Sequence, residues 1–181
     1  MEFQQDNTIQ KIKLLYLLEQ MEIPLTENNL IDICTSRNNW LTYLDLKEAM
    51  FELLEVGFIE ELPVENEESR YTITLDGRSC LGHFYFRIPK DIRDKIIAYT
   101  QENRLNYKKI QEYVSEYSKN KDGTYTITCK IKENMLAGSS NSLLEIKLKA
   151  PTRHSAVEAS RKWTDKASKV YEYIYDNLLD S

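Results

Sequence analysis

Residues 57–77 read GFIEELPVENEESRYTITLDG. Two short runs, Gly57-Phe58-Ile59 and Tyr71-Thr72-Ile73-Thr74, flank a loop in which Glu60, Glu61, Glu65, Glu67 and Glu68 face a single cation, Arg70. This pattern predicts two β-strands joined by an acidic loop. Gly57 supplies the positive φ that lets a helix end and a strand begin at once. Tyr71 and Ile73 are expected to alternate toward the inner face of the second strand, with Thr74 capping a helix after it.

Upstream of this hairpin the apolar spacing predicts three helices. Ile9, Ile12, Leu15, Tyr16 and Leu18 form a broad stripe on a helix that starts after Asp6-Asn7 and stops before Pro24. Thr26 is placed to cap a second, short helix whose Leu30, Ile33 and Cys34 face inward, and Arg37-Asn38-Asn39 breaks it. Thr42 and Asp45 form a capping-box variant for a third helix, with Leu46, Ala49, Met50 and Leu53 inward.

The series Leu53, Gly57-Phe58-Ile59, a variable loop, then Tyr71-x-Ile73-Thr74-x-x-Gly77-Arg78-x-x-Leu81 resembles the winged helix-turn-helix regulators of the PadR and MarR type. The resemblance covers about half the chain. The sequence is also similar to a narrower family of uncharacterised function that pairs this module with a C-terminal half of this kind. The resemblance implies a DNA-binding transcriptional regulator whose third helix enters the major groove while the hairpin, the wing, lies along the backbone. Arg37, Asn38, Asn39, Thr42, Tyr43 and Lys47 are then the candidates for reading bases, with Arg70 on the wing. Asn pairs with adenine and Arg with guanine in bidentate fashion, so that chemistry is present. It also implies a homodimer, since such regulators pair through helices outside the wing module.

Charge pulls the other way. Residues 1–88 hold seven Lys and Arg against sixteen Asp and Glu, a balance of −9, whereas residues 89–181 hold seventeen against thirteen, a balance of +4. A DNA-binding surface gains much of its affinity by neutralising phosphates, and this one offers only Arg37, Lys47, Arg70 and Arg78. The alternative is a protein-interaction module whose acidic winged helix docks a basic protein partner.

Past the Ile88-Pro89 joint the pattern predicts a second domain over residues 89–181, the first being 1–88. Ile92, Ile96 and Tyr99 mark one helix; Tyr107, Ile110, Val114 and Tyr117 mark another, joined at 103–106. A turn at Lys121-Asp122-Gly123 precedes two strands, 125–131 and 144–148, joined by the turn residues of 137–141. Period-two alternation puts Lys130, Lys132, Lys147 and Lys149 together on the outer sheet face, either as edge protection or as a contact for an acidic surface. After Pro151, Ser155 and Glu158 are placed as a capping box for a long helix striped by Ala156, Ala159, Trp163, Ala167, Val170, Ile174 and Leu178. The fold class expected is α+β: a winged helix, then a helix, an antiparallel hairpin and a long helix.

Other classes find little support. Three isolated cysteines, Cys34, Cys80 and Cys129, lack the spacing of a zinc site or disulfide framework. With two histidines, His83 and His154, and no Gly-rich phosphate loop, neither a catalytic site, a metal nor a cofactor is expected. The longest apolar run, Leu14 to Leu18, is far short of a membrane span and the first residues lack signal-peptide order, so a cytoplasmic protein without membrane contact is expected.

Overall fold

The computed structural model describes residues 7–64, 67–133 and 142–179. The chain divides into two compact units between Arg104 and Leu105, inside a helix that begins just after the Ile88-Pro89 joint.

The first unit is built on helix α1, Thr8–Met21. Its apolar stripe is wider than the sequence pattern suggests: Ile12, Leu14, Leu15, Tyr16, Leu17, Leu18 and Met21 are all buried, because helices and sheet cover it on most sides. Strand β1, Leu25–Thr26, leads into α2, Glu27–Ile31, capped by Thr26, whose side chain accepts from the Asn29 backbone amide. The helix continues as a wider π-turn over Asp32–Arg37. Helix α3, Tyr43–Glu55, is capped by the expected Thr42–Asp45 box and buries Leu46, Ala49, Met50 and Leu53. It ends at Gly57, at φ +73°.

Strands β2, Ile59–Leu62, and β3, Arg70–Ile73, follow, and β1 adds to β3, giving an antiparallel sheet of order β1-β3-β2. This is the arrangement expected of a winged helix. The alternation expected of β3 is not what the strand shows. As the central strand it is covered on both faces: Arg70, Thr72 and Ile73 are buried and Tyr71 is half-buried.

Three hydrogen bonds tie residues 57–77 into one piece. The Thr74 amide donates to the Phe58 carbonyl (3.0 Å), the Thr74 hydroxyl donates to the Gly57 carbonyl (2.7 Å), and that hydroxyl accepts from the Gly77 amide (3.1 Å). Helix α4, Leu75–Phe84, therefore starts where α3 ends. A 3-10 turn, Tyr85–Arg87, leads to α5, Lys90–Glu112. Ile96 and Thr100 of α5 are buried in this unit, and Tyr99 meets Trp40 edge to face, with ring centroids 5.8 Å apart.

The helix expected over 107–117 is half helix and half strand. No joint forms near Asn103, whose side-chain amide donates to the Tyr99 carbonyl within the continuous α5. From Tyr113 the chain becomes strand β4, Tyr113–Lys119. Pairing with β5, Tyr125–Lys132, overrides the helical spacing, since Tyr and Val suit a pleated surface as well as a helix. The hairpin expected with β6, Ser142–Ala150, is present, so the second unit holds a three-stranded antiparallel sheet of order β4-β5-β6. The loop expected at 137–141 lies outside the described residues.

Helix α6, Arg153–Leu178, covers one face of that sheet: Ala156, Trp163 and Ala167 pack on Ile127, Cys129 and Ile131. The Trp163 indole N–H donates to the Lys130 carbonyl at 3.1 Å. Its cap is Thr152, boxed with Ser155, rather than the expected Ser155 with Glu158, because the helix starts one turn earlier. Among the described residues no helix is long and apolar enough to cross a membrane.

Candidate nucleic-acid interface

The outer end of α3 is held by its own turn. The amides of Trp40 and Leu41 both donate to the Cys34 carbonyl, and the Asn38 side chain donates to the Ile33 carbonyl at 2.8 Å. Asn39 takes a left-handed conformation, φ +51°, which Asn tolerates better than most residues. The Thr42 hydroxyl accepts from the Asp45 amide (3.1 Å) and donates to the Asp45 carboxylate (2.7 Å). This rigid entry leaves Tyr43, Leu44, Glu48, Phe51 and Glu55 pointing outward, with Leu44 77% and Phe51 66% exposed.

The seven residues expected to meet DNA divide into three groups. Arg37, Asn39, Thr42 and Tyr43 are exposed at the start of α3 and in the turn before it. Asn38 and Lys47 are half-buried with protein partners: Asn38 holds the turn, and Lys47 pairs with Glu27 at 2.6 Å. That hydrogen bond, outweighing burial, holds the Lys47 ammonium above its usual range. Arg37 is likewise paired, with Asp32 at 2.5 Å. Arg70 stands apart, because it is only 5% exposed. Its guanidinium bonds Glu67 at 2.7 Å, and burial lowers its pKa more than Glu67 raises it. On the central strand of the sheet, it is a core residue rather than a wing cation.

The wing presents Glu60, Glu61, Glu67 and Glu68 at its exposed positions, and the Asn28 amide bonds the Glu68 carboxylate. Glu61 and Glu68 flank half-buried Tyr71 in a shallow cleft with Glu27. Burial, then the Glu61 charge, pushes the Tyr71 hydroxyl up.

The lysine face of the second sheet is not a basic surface. Lys130, Lys132, Lys147 and Lys149 do share the face opposite α6, but carboxylates are interleaved with them. Lys130 lies 3.6 Å from Glu145 and 3.9 Å from Glu116, Lys147 lies 3.3 Å from Glu145, and Lys149 lies 2.7 Å from Asp122. Half-buried Lys132 stands opposite Ser142. The hydrogen bond from Lys147 holds the Glu145 carboxyl below its usual range. Period two puts the lysines together; only the strand register puts Glu116 and Glu145 among them.

Leu44 and Phe51 are functional candidates that the motif did not mark. Their signal was present in the sequence: both lie off the 46-49-50-53 stripe that α3 buries, and a large apolar side chain off the buried stripe belongs to a surface. Among the described residues no group of three or more His, Cys, Asp and Glu is placed to hold a metal ion. Burial pushes the Cys34 thiol up to about 12, which leaves it without thiolate chemistry.

A family described as a domain of unknown function, DUF4364, matches residues 10–178. The chain belongs to this family. The match runs through both units and ends at Leu178, the last residue of α6. No curated protein and no solved structure matches the chain.

Proposed function

We propose that the protein is a DNA-binding transcriptional regulator of the winged-helix type, akin to the PadR and MarR regulators, acting as a homodimer. The observation that carries this reading is the outward face at the start of α3. A rigid, doubly capped turn presents Arg37, Asn39, Thr42, Tyr43 and Leu44 at the end of the helix that would enter the groove. Asn39 and Thr42 have base-edge chemistry, and Leu44 suits a thymine methyl. The ion pairs of Arg37 and Lys47 do not remove them from this role. Exposed pairs of this kind are worth about 0–1 kcal/mol, so exchanging Asp32 or Glu27 for a phosphate costs little. Asn38 and Arg70 are left out of the reading set because each is occupied in holding the fold.

Selection from random DNA tests this reading. An enriched sequence should emerge at low salt, and Tyr43→Ala or Asn39→Ala should weaken binding to it by roughly 1–3 kcal/mol while leaving other sequences unaffected. If folded, dimeric protein enriches no sequence, the reading fails.

A second reading is favoured by the alternation of Leu44 and Phe51 with Glu48 and Glu55 along the exposed side of α3. An apolar and acidic helix face suits a basic, amphipathic protein segment. Reversing Glu65, Glu67 and Glu68 to lysine separates the two. A DNA binder gains affinity and loses selectivity, whereas a module for a basic partner loses that partner.

A further inference from the structure

Within the second unit α6 lies over β4 and β5 more than over β6. Yet Leu144, Ile146 and Leu148 of β6 pair with Ile131, Cys129 and Ile127, so they share the face that carries the buried core. Leu144 and Ile146 are half-buried and Leu148 is 50% exposed. Among the described residues β6 is also an edge strand, paired with β5 alone. It ends the sheet with an apolar inner face that one copy of the chain leaves half covered. On the outer face Leu143, Glu145, Lys147 and Lys149 alternate with these residues, and all four are exposed.

We propose that β6 pairs antiparallel with β6 of a second copy about a twofold axis at Ile146, joining the two sheets edge to edge. The strand's own sequence fixes the axis. Ile146 is the middle residue of Ser142–Ala150, so this register alone pairs the whole strand with itself. It sets Glu145 opposite the second copy's Lys147 and Leu144 opposite its Leu148, and symmetry makes each pair twice. Across the seam the outer face then runs from Lys130 through Glu145 to the second copy's Lys147, with alternating signs. The inner face runs from Ile131 through Leu144 to the second copy's Leu148 and Ile127, apolar throughout. Moving the axis one residue either way puts Lys147 against Lys147 or Glu145 against Glu145, and leaves the strand ends unpaired. Within one copy Lys147 and Glu145 form an exposed pair at 3.3 Å, which exchanges for the new partner at little cost. The pairing is closed, because the twofold axis uses both β6 edges. It rests on the homodimer reading and names its interface, and it makes no use of the outward face of α3.

Charge reversal at the seam tests it, read by light scattering of the full chain at tens of micromolar protein, on the order of ordinary dimer affinities. Glu145→Lys alone, or Lys147→Glu alone, turns two attractive pairs into two repulsive ones. Each change lies at an exposed position and should weaken self-association roughly tenfold or more. Mixed in equal amounts, the two variants should re-form a dimer with one chain of each, because every reversed site then meets its opposite sign. The chain that carries both changes should dimerise by itself for the same reason. A folding defect in a single variant would not be repaired by the second change. Single variants that stay as dimeric as the parent chain would overturn the β6 interface and leave the homodimer standing. So would failure of both the mixture and the doubly changed chain to associate. A parent chain of one chain mass would overturn both.

Discussion

Gly57 and Gly77 stand at the two ends of one stretch and are glycine for different reasons. At Gly57 a Cβ would meet nothing within 4 Å, and the constraint is the backbone, at φ +73°. At Gly77 a Cβ would lie 2.1 Å from the Phe58 carbonyl oxygen, where α4 starts against the end of α3. Gly57→Ala should therefore cost about 1 kcal/mol, the left-handed penalty alone. Gly77→Ala should cost about 3 kcal/mol or more, because backbone must move. Urea denaturation of the two variants checks the difference, and equal costs would mean that the close approach at Gly77 is relieved by a small shift. Arg70 gives a second contrast. Arg70→Ala should lower stability by about 2 kcal/mol through the lost Glu67 pair, yet leave the salt dependence of DNA binding unchanged, since its guanidinium is buried. Asn38→Ala should behave alike at about 1 kcal/mol, read by denaturant midpoint with DNA affinity as the control.

Among the elements, those fixed by near neighbours were readable and those fixed by distant partners were not. The Thr26, Thr42 and Thr74 caps each act within three residues, so α2, α3 and α4 start where the sequence places them. Strand β4 has apolar residues at helical spacing, and its state is decided by β5 across a hairpin. Arg70 was misplaced for the same reason: a cation in a charged loop reads as surface until β1 and β2 close around its strand. The start of the α3 face was legible; Leu44 and Phe51 were visible only as exceptions to the buried stripe. The β4–β5 turn yields a pH prediction. Hydrogen bonds from Lys149 and then Thr124 hold the Asp122 carboxyl below its usual range. A depressed folded pKa means that the turn's stabilisation is complete above the ordinary Asp range near pH 4 and is lost as pH falls through it toward the lower folded value. The Gly123 and Thr124 amide signals should broaden in acid, and Asp122→Asn should remove that pH dependence.

For the whole molecule the consequence of charge is a shallow salt response. On the proposed DNA-binding reading, two exchangeable cations, Arg37 and Lys47, would give a slope of log K against log salt of about −2 per first unit, well below that of a basic regulator. Binding isotherms at several salt concentrations measure it, and a steep slope would mean that phosphates are met by cations elsewhere on the chain. Assembly is tested separately. Tyr173, Tyr175 and Leu178 on the last turns of α6, and Leu179 just after it, are exposed, so light scattering should return about twice the chain mass of 21.3 kDa. A value near one chain mass at tens of micromolar protein, a range set by ordinary dimer affinities, would remove the homodimer from the reading.

Among the described residues the three-stranded sheet of the second unit has two edge strands, β4 and β6, each with backbone groups facing outward. Such an edge invites a strand from any passing chain. Glu116 on β4 and Glu145, Lys147 and Lys149 on β6 alter that offer. A strand arriving from another copy of the protein would have to match signs at alternate positions as well as backbone groups, and most registers bring like charges together. The mixed lysine and glutamate face thus acts as protection against open-ended self-templating. Replacing Lys147 and Lys149 by valine should leave the fold in place while making solutions of the protein cloud on standing.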